Sequence, residues 1–247
     1  MREIRACLRF AVFVISTLAV YSFWWVTRYF IPNKQVWRQY IFWRWAKNFA
    51  LISRMKIEVI GTPPKPPFFL VCNHLGYADI PALRLAANGI FVAKSDIENW
   101  PVAGPIVRNM GMVFIDRKNR RDIPRAGALI IDRLNSGEGV MLFPEGTSTR
   151  GEDILPFNSS FLEFAAKRDL PVSYAAIGYR TPEGELPASN VCWWEDIGFL
   201  DHLFRVFMLK EFTATINFGD ETVQNPNRKE LANELREKVK EKFIPVL

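Results

Sequence analysis

Two hydrophobic rhythms run along the chain. Residues 10–27 contain no charged side chain, and Arg28 ends the run. With its flanks this run predicts a helix of about 20 residues or more, roughly 30 Å long and enough to cross a bilayer. Pro32-Asn33 breaks it. A second helix is predicted over 34–54, with Ile41, Trp45, Phe49 and Ile52 on one stripe and Arg44, Lys47 and Arg54 opposite; Lys34 and Arg38 interrupt the stripe at its start. Beyond it, short apolar runs alternate with helical ones. Strands are predicted at 56–61, 68–72, 90–94, 113–115, 139–143, 172–179 and 211–218, the last alternating like a half-exposed edge strand. Helices are predicted at 80–87, 125–134 and 161–168. A final one opens on a capping box at Pro226-Asn227 with Glu230 and buries Leu231, Leu235 and Val239. Alternation of this kind implies an α/β fold, a mostly parallel sheet flanked by helices, with a two-helix membrane anchor in front. The expected division is an anchor over 1–55 and an α/β domain over 56–247.

Composition sharpens the first part of this picture. The net charge of +6 is unevenly placed: residues 1–54 carry nine Lys/Arg and one acid, and five of the eight tryptophans. Basic residues with tryptophan mark a membrane interface, and a near-neutral remainder argues against nucleic acid as the partner. Basic residues flank the first helix on both sides, so the positive-inside rule assigns no orientation. A hairpin dipping into one leaflet is the expected form, with a single span plus an interfacial helix as the alternative. The three cysteines, Cys7, Cys72 and Cys192, show no framework spacing, and no metal-ligand spacing is present.

The chemistry concentrates after the second strand, in Asn73-His74-Leu75-Gly76-Tyr77-Ala78-Asp79. A strand end facing a helix start is where open α/β sheets keep their sites. Asp79 suits an N-cap and Pro81 a first turn. Gly76 permits the bend that returns the Asp79 carboxylate to His74, which would fix the imidazole tautomer and free its other nitrogen to take a proton. A structural histidine capping a loop is the plain alternative for such a pair. Cys72 reads as a small core residue, since no GxSxG elbow is present. His202, in an aromatic run, reads as structural or interfacial.

Three more blocks follow in order: Gly111-Met112-Val113-Phe114-Ile115-Asp116-Arg117, Phe143-Pro144-Glu145-Gly146-Thr147 and Leu170-Pro171-Val172. Together with the His-x4-Asp block they resemble the glycerolipid acyltransferase family, lysophosphatidic acid acyltransferase type. The resemblance implies O-acyl transfer with His74 as general base and Asp79 as its orienting carboxylate. Arg117 would hold the acceptor phosphate, Glu145, Gly146 and Thr147 would shape the acceptor site, and Lys94 would stand on its anion side. It implies no cofactor and no metal. Acyl-CoA or acyl-carrier protein would be the donor, 1-acyl-glycerol-3-phosphate the acceptor and phosphatidic acid the product, with the domain on the cytoplasmic side of a bacterial inner membrane. The chain departs from the family pattern at Ser148-Thr149, at Asn158-Ser159-Ser160 and at Tyr174, leaving fewer basic side chains along the acceptor path. Another lysolipid such as lyso-ornithine lipid, a lipid esterase, and an inactive lipid-binding membrane protein stay open as readings.

Overall fold

The computed structural model of the protein describes residues 1–116, 119 and 121–246. Seven strands form one sheet in the order β1-β7-β6-β2-β5-β3-β4. They are β1 (Met55–Ile60), β2 (Phe68–Cys72), β3 (Gly89–Lys94), β4 (Val113–Ile115), β5 (Gly139–Leu142), β6 (Val172–Arg180) and β7 (Phe212–Phe218). Every pairing is parallel except β6 with β7, which reverses β7 and, with it, β1. The mostly parallel α/β sheet is therefore as expected, and β2 lies at its centre, fully buried on both faces.

Side-chain alternation assigns the helices to layers. Leu70 and Cys72 point into one core with α2 (Lys34–Ser53), α3 (Asp79–Ala86) and α7 (Phe199–Met208). Phe69 and Val71 point into the other with α5 (Asp122–Asn135), α6 (Glu163–Lys167) and α8 (Arg228–Lys242). The short α4 (Ala103–Asn109) precedes β4 in the chain. Asn227 caps α8 by accepting the Lys229 N–H, while Glu230 bonds the Asn227 and Asn225 amides rather than closing the expected backbone box.

Two sequence expectations change. The strand at 212–218 is not an edge: it lies between β1 and β6, and β1 is the edge. Its alternation reflects coverage of one face only, with Phe212, Ala214, Ile216 and Phe218 buried and Thr213, Thr215 and Asn217 half-buried. The helix containing His202 was also missed, because its aromatic run follows a turn-rich stretch that masks its start.

At the N-terminus, α1 (Arg2–Thr27) is long and apolar enough to cross a membrane and is barely buried. It packs antiparallel on α2 and also on α7, through Phe13 against Trp45, Phe49 and Phe207. Its outer face shows Ile4, Leu8, Val12, Ile15, Leu18 and Trp25. By contrast α2 is built into the core through Ile41, Phe42, Ala46 and Phe49. Arg38, which spoiled the apolar stripe in the sequence, is itself buried. Its guanidinium donates to the Met110 carbonyl at 2.8 Å and pairs with buried Glu138 at 2.5 Å. Gly111 makes room for it, since a Cβ there would fall 1.2 Å from Arg38 Nη1.

Candidate active site

The site is assembled where β2 ends. Asn73 locks the loop to the neighbouring strand: its amide accepts the Ile177 N–H at 2.8 Å and donates to the Ile177 carbonyl at 2.9 Å. His74 follows. Its Nδ1 lies 2.8 Å from Asp79 Oδ2. A carboxylate can only accept here, so Nδ1 carries the proton and Nε2 presents a lone pair. Nε2 has no hydrogen-bond partner among the described residues, and the side chain is 20% exposed. The ring stacks on Phe143 with centroids 4.2 Å apart, which sets its plane.

Asp79 does not cap α3. It is the helix's first residue, and Ala78 occupies the cap position. Its carboxylate instead turns back and accepts four donors. Oδ2 takes His74 Nδ1, Leu75 N at 2.7 Å and Gly76 N at 3.0 Å, and Oδ1 takes the Tyr179 hydroxyl at 2.6 Å. A fully buried carboxylate needs this many partners. Gly76 serves close approach, because a Cβ would lie 3.0 Å from the Trp193 backbone nitrogen. That nitrogen donates to the Leu75 carbonyl at 2.7 Å, fastening the 191–198 segment over the loop. Tyr179 was invisible in the sequence. The available signal was a hydroxyl in a strand destined for burial, which has to find an acceptor.

Glu145 follows β5. Its carboxylate accepts the His74 N–H at 2.7 Å and the Leu155 N–H at 3.0 Å, so it steadies the backbone of the candidate base. Burial pushes its carboxyl up to about 7, against the opposing pull of these two donors. A carboxyl raised in the folded state stabilises most below its unfolded value of about 4.5, and that contribution is lost as pH rises through 7. Wild type should therefore lose up to about 3 kcal/mol more stability between pH 4.5 and 7.5 than Glu145→Gln. Urea unfolding of both proteins at several pH values measures this, and parallel profiles would refute it.

The other candidates are placed less closely. Gly146 closes a turn, donating to the Phe143 carbonyl, and Thr147 beyond it is exposed. Lys94 ends β3, half-exposed and paired with Asp96. No hydrogen bond joins Lys94 or Thr147 to His74 or Asp79 among the described residues. Arg117 lies outside the described residues; β4 ends at Ile115, two positions before it. Sheet order sets the sequence of the other strand ends: β2, β5, β3 and β4 are consecutive neighbours with the same direction, and the first three carry His74, Glu145 and Lys94 in turn.

Cys72 is buried, and burial with nearby Asp79 and Glu145 raises its thiol well above the usual range, which suits a core residue. His202 is buried too. Its Nε2 lies 2.9 Å from the Cys192 carbonyl, so it donates there, leaving Nδ1 to accept the Tyr77 hydroxyl at 2.9 Å. Burial lowers its tendency to protonate. It is a structural histidine supporting Tyr77. No cluster of His, Cys, Asp and Glu able to hold a metal occurs among the described residues.

Comparison with known proteins gives this arrangement its class. A family model described as Acyltransferase matches residues 56–177, which include β1 to β5, the His74 loop and the Glu145 turn. The crystal structure of the 1-acyl-sn-glycerophosphate acyltransferase from Thermotoga maritima superposes with a TM-score of 0.67, covering 98% of this chain and 97% of that one at 22% identity, so the fold is shared. Fold and matched segment together are those of an acyltransferase-type α/β protein. The Rhodobacter capsulatus lyso-ornithine lipid O-acyltransferase is 32% identical over 188 residues, covering 73% of this chain and 67% of that protein. The Neisseria meningitidis 1-acyl-sn-glycerol-3-phosphate acyltransferase is 30% identical over 164 residues, covering 66% and 64%. This chain belongs to the acyltransferase family.

Proposed function

We propose that the protein transfers a fatty acyl group from a thioester donor to the free hydroxyl of a membrane lysolipid, with His74 as general base. The observation that carries this reading is the imidazole held through Nδ1 by a buried carboxylate, with Nε2 open at the strand ends. The acceptor hydroxyl gives its proton to Nε2 as its oxygen attacks the thioester carbonyl. The tetrahedral intermediate then collapses, and the leaving thiolate takes the proton back from the imidazolium. No acyl-enzyme is needed, because Cys72 is buried and neutral. Acyl-CoA and acyl-carrier protein are both suitable donors.

Tyr179 is then a positioning residue, acting on His74 through Asp79. Tyr179→Phe should slow transfer about tenfold, in keeping with the loss of one hydrogen bond to a charged group. With one donor fewer on Asp79, its carboxylate holds the imidazolium more strongly, so the acid limb of the pH–rate profile should move to higher pH. An unmoved profile would reduce Tyr179 to packing.

The acceptor has two readings. In the first it is 1-acyl-glycerol-3-phosphate, giving phosphatidic acid, with Arg117 gripping the phosphate through its planar fork and Glu145, Gly146, Thr147 and Lys94 lining the path. The second, lyso-ornithine lipid, is favoured by the neutral Ser148 and Asn158, which are both engaged internally. The Ser148 hydroxyl donates to the Trp193 carbonyl, and Asn158 accepts the Ser160 N–H. Purified wild type and Arg117→Ala, assayed with both lysolipids and both donors, decide between them. A selective rise in KM for lysophosphatidic acid in Arg117→Ala supports the first; equal loss on both acceptors removes Arg117 as the reader.

The outer apolar face of α1 is the membrane contact in this reading. The cut that separates anchor from enzyme falls after α1, since α2 fills the core. Replacing Val12, Ile15 and Leu18, all exposed, with Gln should release the protein from zwitterionic vesicles while leaving its folding intact. Undiminished vesicle binding would move the anchor elsewhere.

A further inference from the structure

A second feature lies apart from His74. Pairing of Arg180 with Thr213, and of Met55 with Phe212, brings the end of β6 and the starts of β7 and β1 to the same end of the sheet as the His74 loop, on the opposite flank from β5. There a cavity of about 740 Å³ opens between these strand ends and the first turns of α1. Four cations line it: Arg5, Arg9, Arg54 and Lys210. Arg9 donates to the carbonyls of Phe207, Leu209 and Lys210, and Arg5 to that of Met208, so both clamp α1 on the exposed carbonyls at the end of α7. This clamp leaves the positive charge uncompensated. Arg5 Nε is buried without a partner. Arg54 and Lys210 are exposed, and neither side chain has a hydrogen bond or ion pair among the described residues. Of the lining acids, Glu211 is paired with Lys56, and Glu185 is paired with Arg2 and also faces Arg5 and Arg9, so Arg54 and Lys210 keep the recess net positive against Glu183.

The remaining wall is Leu8, 63% exposed, from which the apolar face of α1 continues through Val12 and Ile15. A cationic recess opening onto an apolar helix face matches an amphiphile with an anionic head and apolar tails. An acidic protein would leave that face uncovered. We propose that this cavity binds the phosphate-bearing headgroup of an anionic membrane phospholipid, whose chains lie along α1. The site is separate from the acceptor site. It rests on the reading of α1 as lipid-facing, and it would fix how the enzyme sits on an anionic bilayer.

The test uses the full chain, delipidated in detergent and titrated with phosphatidylglycerol in native mass spectrometry. One tightly retained lipid is expected. The double variant Arg54→Gln/Lys210→Gln should hold it roughly thirty-fold more weakly, each cation near an anionic headgroup contributing about fivefold. Arg44→Gln/Lys47→Gln, which removes two cations from α2 outside the cavity, should retain it. Unchanged retention in the first pair, or equal loss in both, would overturn the site in favour of diffuse surface charge. Displacement of the lipid by millimolar inorganic phosphate would assign the cavity to free phosphate instead. Binding of every variant to purely zwitterionic vesicles reports α1 alone. Its failure would strike the membrane reading, and its persistence with loss of phosphatidylglycerol would isolate the cavity.

Discussion

Replacing His74 with alanine is expected to abolish nearly all acyl transfer while leaving the fold unchanged. A positioned general base contributes roughly 10²–10⁴-fold, and no second imidazole can substitute, because His202 is spent on the Cys192 carbonyl and Tyr77. The side chain is partly exposed and stacks only on Phe143 as an aromatic neighbour, so truncation leaves the buried Asp79 with three of its four donors. Asp79→Asn should approach the same rate. Its amide oxygen can still take the Leu75 and Gly76 N–H groups, but the charge that favours the imidazolium is gone. Single-turnover measurements with excess enzyme separate this chemical loss from weaker binding. A folded His74→Ala protein within a few-fold of wild type would remove His74 from the mechanism.

The largest effect on stability is expected at Arg38. Among the described residues, Arg38→Met leaves Glu138 buried, with its side chain 1% exposed, held only by Gln39 and by Arg133 at 3.4 Å. Breaking one side of a buried ion pair costs about 3–5 kcal/mol, which for a chain of this size lowers Tm by roughly 6–20 °C. The loss is compounded by the space opened beside Gly111 and by the unpaired Met110 carbonyl. Adding Glu138→Leu to Arg38→Met should restore a good part of it, since the cost lies in the uncompensated charge. Thermal unfolding of the two single variants and the double variant forms the cycle. A loss under about 1 kcal/mol in Arg38→Met would show that Gln39 and Arg133 together satisfy Glu138.

These two residues mark how far the sequence could be read. The spacing of His74 and Asp79 between an apolar run and a helical one was enough to foresee their contact, because a five-residue reach around a glycine is local geometry. The strands were legible for the same reason: β2 is a continuous apolar run because both of its faces are covered. Tyr179 was not legible, since its partner is 100 residues away and nothing local distinguishes a strand tyrosine that bonds a carboxylate from one that merely packs. Arg38 was misread in a telling way. A charge on an apolar stripe looks like a flaw in an amphipathic helix until the acid at Glu138 is brought to it by the fold. The same long-range pairing turned the second helix from an expected anchor element into part of the core, and left α1 alone with an apolar outer face.

The order of the strand ends has a consequence for how such a protein can change. The base stands on the central strand, braced on one side by Tyr179 and Asn73 contacts to β6 and on the other by Glu145 after β5. In the sheet, β3 and β4 lie two and three places from the strand that carries it, and Lys94 at the end of β3 has no bond into the dyad among the described residues. Mutations accumulating in those outer loops can retune what is recognised without passing through a variant that has lost its chemistry. Lineages carrying this scaffold can therefore drift between acceptors by small, individually tolerated steps, and a laboratory library confined to the outer two loops should recover altered acceptor choice far more often than one spread over the whole chain.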